Sequence, residues 1–83
     1  MNLVEELTEL RAYRDELVRQ ARALVAASGQ KPTATTFADM YAEMAQSARQ
    51  SNARQADLSF LAFELVFVER QIIAILGNAA LQR

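Results

Sequence analysis

The chain should fold as a single all-α domain over residues 1–83, a small helical bundle of either two or three helices, completed by homodimerisation. Three observations point there. Apolar residues recur at spacings of three and four through most of the sequence. Gly29, Pro32 and Gly77 are its only strong helix breakers, so long stretches run uninterrupted. Finally, 52% of the 83 residues are hydrophobic, more than one short bundle readily hides. Oligomerisation is a standard way for so small a scaffold to gain burial.

Helix 1 is expected over about residues 3–27. Leu3, Leu7, Leu10, Leu17, Ala21 and Leu24 form a stripe, widened by Val4, Val18 and Val25. Glu5, Glu6 and Glu9 suit a helix N-terminus, where the dipole favours negative charge. Arg11, Asp15 and Arg19 make (i, i+4) pairs worth a few tenths of a kcal/mol each. Gly29 can take the left-handed conformation that ends a helix, and Pro32 blocks continuation.

Residues 28–36 form the loop. Thr36 is a natural N-cap, with Asp39 three residues on. Helix 2, about residues 37–50, carries Phe37, Met40, Tyr41, Met44, Ala45 and Ala48 on one face. A turn near Ser51-Asn52, with Asn52 as cap, would start helix 3 at about residue 53 and run it to about 77. No Gly or Pro lies between Thr33 and Leu76, and Phe37, Met44, Ser51, Leu58, Leu65 and Ile72 keep a spacing of seven. One continuous helix across this region is therefore the alternative. Gly77-Asn78 should weaken or end the last helix.

Helix 3 is apolar on two sides. Leu58, Leu61, Ala62, Leu65, Ile72 and Leu76 share one; Phe60, Phe63, Phe67, Ala74 and Leu81 share the other. Glu64 and Gln71 lie on one flank and Arg70 on the opposite one. A helix apolar nearly all round is normally buried nearly all round. Helix 1 can cover the leucine side. The phenylalanine side needs helix 2, as in a plain three-helix monomer, or else a second chain or a partner. Interfaces favour aromatic and methionine side chains, so Phe60, Phe63, Phe67, Ala74, Met40 and Met44 are the expected interface residues.

Two charges interrupt the apolar stripes: Arg14 between Leu10 and Leu17, and Glu69 between Leu65 and Ile72. A buried unpaired charge is costly. Arg14 is therefore expected to meet Glu69, or Glu64 beside it, within one chain or across a dimer. Alternatively Arg14 snorkels to the edge of its stripe.

Composition excludes much chemistry. With no Cys and no His, the usual zinc sites, serine–histidine triads and thiol nucleophiles are ruled out. Di-metal carboxylate bundles need Glu-x-x-His motifs, and no glycine-rich phosphate loop exists. No enzymatic activity, metal or cofactor is expected. The net charge of −1 lacks the basic excess of nucleic-acid binders. A nucleic-acid-binding dimer using Arg11, Arg22, Arg49 and Arg54 is the runner-up, followed by a secretion chaperone or a structural assembly subunit. The most apolar stretch, Leu58 to Leu76, holds Glu64, Glu69 and Arg70, so no membrane span is expected. Glu5 and Glu6 follow Met1–Val4 at once, unlike a secretory leader. A cytoplasmic bacterial or phage protein fits these features.

The segment Gln71-Ile72-Ile73-Ala74-Ile75-Leu76-Gly77, together with the Arg-rich helix from Arg11 to Gly29, resembles the TraM-type quorum-sensing anti-activators. Those are small helical dimers that bind a LuxR-type transcription activator and stop it binding DNA. The resemblance implies a regulator that sequesters or inhibits a protein partner. It carries over no functional residue.

Overall fold

The computed structural model describes residues 2–50 and 52–81. It is an all-α bundle of three helices: α1 (Leu3–Ala27), α2 (Phe37–Ala48) and α3 (Asn52–Leu81). The Asn2 side chain accepts from the Val4 N–H at 2.9 Å and caps α1. At the other end Gly29 has φ +92°, a left-handed conformation that glycine adopts without the Cβ penalty.

The loop runs back alongside α1. Arg22 Nη2 donates to the Ala34 carbonyl at 2.9 Å, and the Glu43 carboxylate accepts from the Thr33 and Ala34 N–H groups at 2.9 and 3.2 Å. These bonds hold buried Ala34 in the core. Thr36 caps α2, its Oγ1 accepting from the Asp39 N–H at 3.1 Å.

The chain turns at Arg49-Gln50, so a continuous helix does not form. The Gln50 N–H donates to the Ser47 carbonyl at 3.2 Å and closes the turn. The reversal lets Met40 and Met44 of α2 pack into the same core as Leu58, Leu61 and Leu65 of α3. A straight helix would leave both rows in water, and the polar residues between them resist a bend only weakly. The expected capping role of Asn52 rests on a side chain outside the described ones. α3 runs through Gly77 and Asn78 to Leu81, beyond the expected end at 77. Gly77 keeps a negative φ and costs about 1 kcal/mol against alanine in a helix interior.

α1 and α3 are antiparallel. Gln20, Ala23 and Leu24 lie beside Asp57, Phe60 and Leu61, while Tyr13 and Arg14 reach Glu64 and Glu69. The short α2 packs across one end of this pair, Phe37 and Met40 near Val18 and Tyr41 near Ala62 and Val66. The other end is a two-helix arm. The molecule therefore measures 48 × 19 × 15 Å, with a radius of gyration of 14.7 Å. A compact chain of this length would have about 12 Å. No helix among the described residues is long and apolar enough to cross a membrane.

Candidate protein-binding surface

Leu58, Leu61, Leu65, Val68 and Ile72 form the buried row of α3, facing Leu17, Ala21 and Val25 of α1. At about 100° per residue the opposite row must point away from both neighbours. It does: Phe60, Phe63 and Phe67 are 61%, 78% and 57% exposed. Ala74 lies on the same open row. Neither α1 nor α2 covers these rings, so helix 2 does not pack on the phenylalanine side.

Two grooves flank the ridge. One, about 400 Å³, lies between α1 and α3 and is lined by Gln20, Ala23, Leu24, Asp57, Phe60 and Leu61. The other, about 320 Å³, lies between α2 and α3 and is lined by Tyr41, Ser59, Ala62, Phe63 and Val66. Val66 and Ile73 extend the ridge on this side, Ile73 being 65% exposed. Sequence reasoning missed both as surface residues. Their spacing of seven, with Val66 three residues after Phe63, was the signal.

Met40 and Met44 do not belong to this surface. They are 5% and 3% exposed, inside the core. Their face of α2 turns inward because it is the only apolar face a twelve-residue helix has to offer the α1–α3 pair. Leu76 departs in the other direction. Expected in the core, it is exposed because α2 stops short of it, as is Leu3 at the facing end of α1.

The two stripe-breaking charges meet within the chain. Arg14 Nη1 donates to Glu69 Oε1 at 3.1 Å, each side chain 26% exposed, so the pair is half-buried. Glu64 belongs to a separate contact, accepting at 2.8 Å from the Tyr13 hydroxyl. That bond, foremost, holds the Tyr13 phenol above its ordinary value. Burial, and then the nearby Glu69 charge, does the same for Tyr41.

Arg70 is the one charge on the ridge itself, not on its flank. It is exposed and makes no hydrogen bond or ion pair among the described residues. Other basic residues are dispersed. Arg22 is bonded to the loop, and Arg19 pairs with Glu16, not with Asp15. Asp15 lies 3.8 Å from Arg14, and Arg11 has no ion pair among the described residues. Arg11 and Arg49 sit toward opposite ends of the molecule, so the four arginines of the nucleic-acid reading do not form one patch.

No family model, curated protein or solved structure matches the chain. The described residues contain no group of three or more acidic side chains placed to hold a metal ion. The surface offers apolar area: three phenyl rings, two aliphatic side chains and two apolar grooves. Its free energy is released by removing that area from water, at roughly 25 cal/mol per Å².

Proposed function

We propose that the protein is a non-enzymatic, cytoplasmic regulator that acts as a homodimer, binding a protein partner and sequestering or inhibiting it. The carrying observation is the exposure of Phe60, Phe63 and Phe67 on a bundle whose core is already complete without them. Monomers rarely leave a contiguous apolar patch of this kind in water unless it binds something. The phenyl ridge serves the dimer. Leu3 and Leu76, open on the arm where α2 stops, give the partner an apolar foothold. The likeness of the Ile-rich helix end to anti-activators makes a transcription regulator the first partner class to test.

Sedimentation equilibrium tests the dimer. The wild-type chain should be dimeric at micromolar concentration, and Phe63→Glu with Phe67→Glu should be monomeric with unchanged helicity. A monomeric wild type removes the dimer; an undisturbed assembly in the variant removes this interface. Affinity capture from source cells, comparing wild type with Leu76→Glu, tests the partner. Equal recovery of the same protein by both would count against the arm.

A further inference from the structure

The residues along the exposed face of α3 give the proposed dimer a direction, which depends on that face being the dimer interface. Ala56, Phe60, Phe63, Phe67, Arg70 and Ala74 are spaced four, three, four, three and four residues apart along α3. At 100° per residue they fall within about 80° of one another. This is the spacing of a two-stranded coiled-coil seam, and all six residues are exposed. By size the order is small, large, large, large, large, small, which reads nearly the same from either end.

We infer that the second copy lies antiparallel on this seam, centred near Leu65, with Arg70 of each chain over Phe60 of the other. In that register Phe63 faces Phe67 of the second copy, and Ala56 faces Ala74. Large side chains meet large ones at the centre, and alanines meet alanines at both ends, where the helices can approach closely.

Charge selects this direction over the parallel one. A parallel pair would set Arg70 against Arg70 inside an apolar seam, two like charges with no counter-ion. The antiparallel pair sets each guanidinium on the face of the Phe60 ring, a favourable cation–π contact. Glu64 stays out of the seam, on the flank toward α1, held by Tyr13.

The rings supply a large share of the area a dimer needs. At their observed exposure the three rings still offer on the order of 400 Å². That is about half of what each partner buries in a standard interface. Val66, Ile73 and the two groove walls beside the ridge supply further area.

The chain has no cysteine, so introduced thiols report cleanly. Ala56→Cys and Ala74→Cys are made singly, mixed, and treated with a short bismaleimide. The antiparallel register predicts cross-linking in the mixture and none in either variant alone, because like positions then lie about 27 Å apart. Cross-linking of each variant with itself establishes a parallel pair and overturns the inference. A dimeric wild type, with no cross-link in either cysteine variant or in their mixture, overturns this register and leaves the dimer standing. A monomeric wild type overturns both, and if the ridge variant then also loses a captured protein, the occupant is a different chain. Charge reversal gives a second readout. Arg70→Asp, which sets a carboxylate on the Phe60 ring face of the second copy, should weaken the dimer about tenfold. A dimer indifferent to Arg70→Asp counts against the cross-chain contact with Phe60.

Discussion

Arg14 Nη1 lies 3.1 Å from Glu69 Oε1, tying α1 to α3 near the point where α2 ceases to cover them. Beside the pair, Tyr41 of α2 feels the Glu69 charge. The ion pair thus sits where the three-helix core gives way to the two-helix arm, whose own core continues through Ile72, Leu7 and Leu10. At 26% exposure each group is neither free in water nor sealed in the interior. Its worth therefore falls between the small value of a surface pair and the larger cost of breaking a buried one.

A double-mutant cycle on Arg14→Met and Glu69→Gln should give a coupling of about 1 kcal/mol, measured by urea unfolding. Each single change should destabilise by about 1–2 kcal/mol. Strict additivity of the two changes would show that the contact holds nothing.

Thr36 and Gly29 fix the two ends of the loop. Thr36→Ala removes the acceptor for the Asp39 N–H and should cost about 1 kcal/mol. Gly29→Ala meets no neighbouring atom, yet its φ of +92° strains any L side chain, so it too should destabilise, by about 1 kcal/mol. Chemical denaturation of both variants checks the values; a neutral Gly29→Ala would mean the turn relaxes.

Ser47 is fully buried, and its hydroxyl has no hydrogen-bond partner among the described residues. An unpaired buried hydroxyl costs more than its absence. Ser47→Ala should therefore leave stability unchanged or raise it by up to about 1 kcal/mol, seen as a higher melting temperature. A marked loss would reveal a bond made by this hydroxyl in solution.

Both tyrosines should ionise above the ordinary value of 10.0, Tyr13 because it donates to Glu64 and Tyr41 because of burial. A raised phenol pKa means that the folded state holds the proton more tightly than the unfolded chain does. The stabilisation is complete below pH 10 and is lost as pH rises through the folded values. Tyrosinate absorbance should show the late titration, and Glu64→Gln should bring Tyr13 back toward its ordinary value. An unchanged Tyr13 midpoint in that variant would assign the shift elsewhere.

Much of this architecture is legible in the order of residues. The stripe from Leu3 to Leu24 and the breakers Gly29 and Pro32 delimit α1, because periodicity and backbone freedom are local properties. Arg14 and Glu69 stand out because a charge inside an apolar stripe demands compensation, but the choice of Glu69 over Glu64 as the partner of Arg14 is made by the fold. The second apolar face of α3 is legible as well, since one helix cannot turn two opposite faces toward a single neighbour; that α2 leaves it open is not. Met40 and Met44 show the limit. An apolar face bound for the core and one bound for a partner have the same composition, so periodicity cannot separate them.

Local sequence thus determined that the chain is helical, where α1 and its loop lie, and that α3 carries more apolar surface than one neighbour can cover. Only the tertiary structure decided that the chain reverses at Arg49-Gln50, that α2 commits its methionines to the core, and that Leu76 and Ile73 stay open on the arm. Helix formation depends on neighbours three and four residues away. Which face meets water depends on where a twelve-residue helix comes to rest against two much longer ones, and that is set by contacts distant along the chain.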